Sequence, residues 1–282
     1  MKKKIIAIIV AIVLIIPVSR GWYGFLLDYF FDAKLASSTQ LKFRKISDTE
    51  VEVVGYISDL DEKITIPEKI RIGLDIYKVT SIGASAFYRC SSLTSIKIPE
   101  GVTRIGSYAF GGCSRLTSIN IPKGVTSIGK EAFSWCSRLT SINIPESVTS
   151  IGGSAFEGCS SLTSIKIPKG VASIGDEAFY GCESLNNIKI PEGVTSIGDR
   201  AFYGCSSLTG INIPEGVTNI GDWAFEGCSS LTNIKIPEGV TSIGEEAFWG
   251  CYNLEIVIDN SEKKVKVGWN AFENCKSVKW LK

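Results

Sequence analysis

Apolar and polar positions alternate along this chain in a short unit that returns many times. In the stretch from Ile96 to Ile98, apolar side chains alternate with a polar one, which predicts a short strand with one buried face. Pro99 ends that strand, because proline lacks the backbone donor that a central strand needs. A second extended segment is predicted from Val102 to Ile105, and it ends at Gly106. Each unit is therefore predicted to hold two short strands.

An Ala-Phe pair followed by a cysteine marks the same point in every unit. The phenylalanines recur every 23 residues, with a last interval of 24, at Phe87, Phe110, Phe133, Phe156, Phe179, Phe202, Phe225, Phe248 and Phe272. One coil of this length cannot bury its own apolar side chains, so neighbouring coils must stack with like positions about 4.8 Å apart. The repeat predicts a mainly β fold, a parallel β-solenoid of nine coils with ladders of identical side chains.

The segment between the second strand and the cysteine is predicted to form one turn of α-helix or 3₁₀ helix. Asp176, Asp199 and Asp222 precede the Ala-Phe pairs of their units, where a helix N-cap would lie. Each 23-residue coil would then contain two strands and one short helical turn.

The repeat resembles the BspA-type leucine-rich repeat of bacterial surface proteins. The resemblance covers residues 64–275 and is carried in one unit by Leu93, Ile96, Ile98, Pro99, Val102, Ile105, Gly106, Ala109 and Phe110. The unit departs from ordinary leucine-rich repeats because proline stands where an asparagine usually follows the strand. The resemblance implies a leucine-rich-repeat solenoid that is displayed at the cell surface and binds a protein or extracellular-matrix partner, as an adhesin does.

The ends of the chain differ from the repeats, and the chain divides into four predicted parts. Residues 1–36 are a signal peptide or membrane anchor, residues 37–63 a β-hairpin cap, residues 64–275 the repeat array, and residues 276–282 a C-terminal cap. Atypical terminal units are expected because the outer coils of a solenoid lack one neighbour. Trp280 is predicted to seal the last coil.

The N-terminus has the features of an export segment. Lys2 to Lys4 precede an apolar run from Ile5 to Val18, and apolar residues resume as far as Phe31. The first run is shorter than the about 20 residues that a membrane span needs. Both a retained anchor over residues 5–31 and a cleaved signal are compatible with this pattern. Either one places the rest of the protein outside the cytoplasm, and a retained anchor would be its contact with the membrane.

The composition argues against catalysis and against nucleic acid as a partner. Thirty basic and twenty-nine acidic residues give a net charge of +1, so no basic surface for phosphate backbones is expected. The chain has no histidine, which is the most common general base and metal ligand. Acidic pairs such as Asp176 and Glu177 are expected in the turn segment rather than across a cleft. We therefore predict no enzyme activity, no catalytic or metal-binding residues and no cofactor.

One segment has nearly the spacing of a phosphate-binding loop. It runs from Gly124 to Lys130, but Glu131 stands where a magnesium-binding serine or threonine belongs. Equivalent segments without the lysine recur in other units. The segment is therefore interpreted as a turn of the repeat.

The nine cysteines are interpreted as a column of buried thiols. No two of them form a C-x-x-C pair, and each lies one unit from the next. Disulfides between adjacent coils remain an alternative, because neighbouring Cα atoms would lie near bonding range, although parallel side chains would have to rotate. A metal site is the third alternative.

The variable outward positions are the candidates for binding. The strand column of Lys97, Asn120, Asn143, Lys166, Lys189, Asn212 and Lys235 is the predicted binding surface. A second candidate is the aromatic column that follows the phenylalanines, with Tyr180, Tyr203 and Trp249, because exposed aromatic side chains are favoured anchors. The alternative function is a passive scaffold or spacer of the cell envelope that binds no partner.

Overall fold

The computed structural model describes residues 40–57 and 61–282. At the N-terminal end, strand β1 (Leu41–Lys45) pairs with β2 (Glu50–Tyr56) as an antiparallel hairpin. Strand β2 then pairs in parallel with the C-terminal half of β5 (Asp75–Ile82). Strand β4 (Lys69–Ile72) pairs antiparallel with the N-terminal half of β5. The hairpin thus lies against the first coil. Within the described residues no helix is long and apolar enough to cross a membrane.

The first strand column of the solenoid consists of strands that pair in parallel with their equivalents in neighbouring coils. It contains β3 (Lys63–Thr65), β6 (Ser95–Lys97), β8 (Ser118–Asn120), β10 (Ser141–Asn143), β12 (Ser164–Lys166), β14 (Asn187–Lys189), β17 (Asn233–Ile236), β19 (Glu255–Ile258) and β21 (Ser277–Trp280). The register joins identical repeat positions, such as Ile142 with Ile165. The pairing is interrupted between β6 and β8. Between β14 and β17 it is reduced to a single bridge from Asn187 to Gly210, which has no side chain to pack.

The second strand column is shorter and follows the turn after each proline. After β5 it contains β7 (Arg104–Ile105), β9 (Ser127–Ile128), β11 (Ser150–Ile151), β13 (Ser173–Ile174), β15 (Ser196–Ile197), β16 (Asn219–Ile220), β18 (Ser242–Ile243) and β20 (Lys266–Val267). These strands also pair in parallel at equal repeat positions, in one run from β5 to β11 and a second run from β13 to β20. The expected parallel β-solenoid of about nine coils is confirmed.

The interior is a set of side-chain ladders, of which the phenylalanine ladder is the largest. Its rings stack nearly parallel with centroids 5.1 to 6.0 Å apart. Around it lie the buried leucine, isoleucine, valine and alanine side chains of every coil. Burial of each large apolar side chain contributes about 1.5–3 kcal/mol. At the C-terminal end, Trp280 packs against this core.

The glycine that follows the second strand allows the coils to approach closely. A Cβ on Gly129 would lie 2.4 Å from the backbone nitrogen of Ser107 in the preceding coil, and one on Gly106 would lie 2.6 Å from that of Ala84. Real Cβ atoms do not come so near to backbone atoms. The glycine of this step, which follows isoleucine in every coil but the last, where it follows Val267, is therefore a condition of the coil spacing.

The predicted helical turn is wrong. In every coil the residue before the alanine has a positive φ, for example 56° at Glu177, and so has the residue before the cysteine, for example 65° at Gly181. A right-handed helix cannot include these angles. Successive amides of the segment instead alternate between two kinds of hydrogen bond. The Phe87 N–H donates to the Ala109 carbonyl of the next coil at 2.8 Å, and the Tyr88 N–H donates to the Ser85 carbonyl within the same turn.

The three aspartates predicted as N-caps have a different role. An oxygen of Asp176 accepts from the backbone N–H of Asp199 in the next coil at 3.1 Å, and Asp199 accepts from the Asp222 N–H at 2.9 Å. Each carboxylate thus joins two coils instead of starting a helix.

The segment with phosphate-loop spacing lies within the repeat, and its amides are used in stacking. The N–H groups of Thr126 and Gly129 donate to the carbonyls of Thr103 and Ile105 at 3.0 and 2.9 Å. Part of the segment is strand β9 (Ser127–Ile128). These amides hold neighbouring coils together.

The cysteines form the expected column, with eight thiols buried, Cys275 half-buried, and all nine unpaired. Each of the eight thiols from Cys113 to Cys275 donates to a phenylalanine carbonyl of the preceding coil, as Cys136 does to Phe110 at 3.2 Å. Burial raises the pKa of the Cys136 and Cys182 thiols to about 12. Because the thiolate is the reactive form, these thiols are poor nucleophiles at neutral pH.

Candidate functional site

The strand face consists of the outward side chains of the first strand column. All seven residues predicted for binding lie on it and are exposed, one to a coil: Lys97, Asn120, Asn143, Lys166, Lys189, Asn212 and Lys235. The alternation of the strand places them outward, because the isoleucines on either side are buried. The structure therefore brings these residues into one continuous row.

The chemistry of the strand face is polar and mildly basic. Two of its lysines are paired at the edge of the row: Lys166 with Glu146 at 2.6 Å and Lys235 with Asp259 at 3.3 Å. The hydrogen bond from Lys166 lowers the pKa of Glu146. These exposed pairs are readily exchanged for contacts with a partner, since surface ion pairs contribute little free energy. The face can offer amide, hydroxyl and ammonium groups in a regular row.

Hydrogen bonds between neighbouring coils fix the edges of the strand face. A column of threonine hydroxyls beside it donates to the backbone of the preceding coil, as Thr140 does to the Thr117 carbonyl at 3.2 Å. Thr163 repeats this bond to Thr140 at 3.3 Å. These bonds fix the flanks, so the row of lysines and asparagines stands on a rigid surface.

The turn face is formed by the segments that run from the Ile-Gly step to the cysteine of each coil. It carries the second set of candidates, of which Tyr180 and Tyr203 stack with centroids 4.8 Å apart. Burial is the largest cause that raises the pKa of Tyr203, and the nearby Glu226 adds to it. Trp249 lies two coils beyond Tyr203, with Glu226 at the equivalent position between them. The structure thus joins the two tyrosines and leaves Trp249 apart.

A cleft of about 500 Å³ on the turn face includes Arg89 and Glu131, which the sequence analysis did not select. Its lining contains Tyr88, Arg89, Glu131 and Trp135, together with Gly112 as its floor. The sequence feature that could have indicated this cleft is the pair Gly111-Gly112, since no other coil has two glycines at these positions.

The comparisons with known proteins identify the repeat. The model of the BspA type leucine rich repeat region matches residues 62–182 and 150–279, which together span most of the chain. The chain belongs to this BspA-type leucine-rich repeat family. No curated protein sequence matches it.

Two solved structures of bacterial proteins are similar to this BspA-type chain over most of its length. One is a leucine rich cell surface protein from Faecalibacterium prausnitzii, with 32% identity, a TM-score of 0.69, and coverage of 85% of this chain and 74% of that one. The other is a leucine-rich repeat protein from Bacteroides ovatus, with 31% identity, a TM-score of 0.66, and coverage of 86% and 75%.

A larger groove of about 670 Å³ lies at the N-terminal end of the BspA-type array. Three basic side chains (Lys69, Lys78 and Arg104) and three acidic ones (Glu50, Glu68 and Glu100) line it. The hydroxyl of Ser81 is buried there and has no hydrogen-bond partner within the described residues. The equal numbers of opposite charges give the groove no net charge with which to select a ligand.

Proposed function

We propose that this BspA-type protein stands outside the cytoplasm and binds a protein or extracellular-matrix partner through its strand face, without catalysis. The observation that carries the proposal is the row of seven exposed side chains on consecutive coils. A similar protein from Faecalibacterium prausnitzii is described as a cell surface protein, which supports the location. A few residues commonly supply most of the binding energy of such a surface, so a substitution on adjacent coils can test it.

We favour the strand face over the turn face as the binding surface because its outward side chains do not take part in the packing of the coils. Lys97, Asn143 and Lys189 point outward and contribute nothing to the buried ladders. On the turn face, Tyr180 and Tyr203 are half-buried against each other. The lysines also give the row a positive charge, so the preferred partner presents acidic groups.

The experiment is a triple substitution on three adjacent coils: Asn143→Ala, Lys166→Ala and Lys189→Ala. We expect at least a tenfold loss of affinity for immobilised matrix glycoproteins, measured by surface plasmon resonance with the 282-residue protein. The melting temperature should stay nearly constant, because surface changes of this kind usually alter stability by less than about 0.5 kcal/mol.

The control is the double variant Tyr180→Ala with Tyr203→Ala on the turn face, which should bind normally. If the triple variant kept its affinity and the tyrosine variant lost it, the turn face would be the interface. If the unmodified protein bound no member of a broad panel, the passive spacer would be the better description.

We also propose that residues 1–36 export the chain as a signal peptide or hold it in the membrane, over residues 5–31, with the repeat array outside. This segment lies beyond the described residues, and the argument rests on its lysines and its apolar run. Protease added to intact cells should digest the array. An array that survived this treatment and was cut only after lysis would contradict the proposed topology.

A further inference from the structure

The cleft on the turn face exists because one coil lacks a side chain that both neighbouring coils carry. Gly111 and Gly112 occupy the positions that hold Tyr88 and Arg89 in the preceding coil and Ser134 and Trp135 in the following one. A Cβ on Gly112 would lie 3.0 Å from Cγ of Arg89, so a side chain there would crowd the opening. Gly112 thus forms the floor, and the larger residues of both neighbouring coils form the walls.

Two of the wall residues adopt a backbone conformation that their side chains disfavour. Arg89 has a φ of 56° and Trp135 a φ of 57°. Five other coils carry glycine at this position, with φ between 65° and 73°: Gly158, Gly181, Gly204, Gly227 and Gly250. Left-handed backbone costs a non-glycine residue about 1–2 kcal/mol. Arg89, Trp135 and, in the last coil, Asn274 are the exceptions to glycine at this position, and the first two flank the same floor.

Trp135 is held so that one side of its ring remains open. Its Cε3 and Cδ2 atoms would lie 2.7 and 2.8 Å from a Cβ on Gly158, so the indole lies flat against that glycine of the next coil. Burial raises the pKa of the neighbouring Glu157 carboxyl, and the Trp135 side chain opposes this rise. Even so, 57% of the Trp135 surface is exposed. The residue presents a fixed, uncovered aromatic surface.

Polar groups of both kinds surround this aromatic surface. Arg89 lies over the Tyr88 ring at 5.1 Å and can donate several hydrogen bonds. A carboxylate oxygen of Glu131 accepts from the Tyr108 hydroxyl at 2.7 Å and lies 3.7 Å from Nζ of Lys130, and these two contacts orient the carboxylate. Ser114 and Ser137 add hydroxyl groups to the rim. The cleft thus offers donors and acceptors beside an apolar platform.

We propose that this cleft binds neutral hexopyranose units of a glycan, with one sugar ring stacked on Trp135. A pyranose has a face of C–H groups, which suits the negative face of an indole ring, and a rim of hydroxyls that both donate and accept. The volume of about 500 Å³ lies in the range of small-molecule sites. The lining carries one positive charge, on Arg89, and one negative charge, on Glu131, so neither an anionic nor a cationic ligand is favoured over a neutral one.

The test uses the 282-residue protein and three uncharged probes: tetrasaccharides of glucose, of galactose and of N-acetylglucosamine. Binding is measured by titration calorimetry and by the change in tryptophan fluorescence. We expect saturable binding of at least one probe, and at least a tenfold loss of affinity in Trp135→Gly. Because glycine is the usual residue at this position, the melting temperature of Trp135→Gly should be unchanged or higher. This combination separates loss of a ligand contact from loss of fold.

The matched control is Trp269→Ala, which removes an exposed tryptophan of the last coil and should leave sugar affinity unchanged. Absence of binding by all three probes up to about 10 mM would overturn the proposal. So would sugar binding that is the same in Trp135→Gly, or binding of a charged peptide at Trp135 with none of the sugars. The strand-face triple variant should retain sugar binding, so this test and that of the proposed function can fail separately.

Discussion

Phe156→Ala is expected to lower the free energy of unfolding by about 3–5 kcal/mol. Phe156 is completely buried, and its ring lies between those of Phe133 and Phe179, with centroids 5.7 and 5.6 Å away. Removal of the ring leaves a cavity that the neighbouring coils cannot close, because their spacing is set by backbone hydrogen bonds. Urea unfolding followed by circular dichroism measures the change.

Phe272→Ala provides the matched control, since it removes the same side chain at the same repeat position. Phe272 is half-buried and has one stacked neighbour, Phe248, at 6.0 Å. Its substitution should cost less than half as much as that of Phe156. Equal costs for the two variants would show that stacking on both sides is not the main source of stability in the ladder.

Gly129→Ala is expected to destabilise the array by about 3 kcal/mol, although it adds only one methyl group. The new Cβ would lie 2.4 Å from the Ser107 nitrogen and 2.6 Å from the Gly106 carbonyl carbon. Both atoms belong to the backbone of the preceding coil, so no side-chain rotation can relieve the contact. The coils must move apart, which weakens the hydrogen bond from the Gly129 N–H to the Ile105 carbonyl.

Gly210→Ala is the control for this variant. A Cβ on Gly210 would meet no atom within 4 Å. Its stability should therefore change by less than about 0.5 kcal/mol, or rise slightly because alanine restricts the unfolded chain. A Gly129→Ala protein as stable as Gly210→Ala would mean that the coils are not as closely packed as the structure has them.

Much of the fold could be predicted from the spacing of residues alone. The interval of 23 residues placed Phe110, Phe133 and Phe156 at one repeat position, and stacking of equivalent coils is the only arrangement that buries all of them. The outward row of lysines and asparagines followed in the same way, because a strand alternates its sides. Its exposure agrees with the interpretation, while its role in binding remains a prediction.

The backbone conformation of the turn segment could not be predicted from the spacing. Glu177, Arg200 and Trp223 give no sign of positive φ in the sequence, because such angles are typical of glycine. The fold imposes them: alternate amides in the turn must point to the next coil, and a helix would direct them along its own axis. Asp176 therefore bonds a neighbouring coil instead of capping a helix.

What the sequence by itself determined is the period, the parallel stacking and the set of buried ladders, because these depend only on which residues recur and how far apart. What only the tertiary structure decided is the backbone of the turns and the shape of the turn face. The cleft beside Trp135 arises from the absence of a side chain at Gly112, between two coils that carry large ones at the same position. Such a gap depends on contacts between residues 23 positions apart, and it forms only when the coils are stacked.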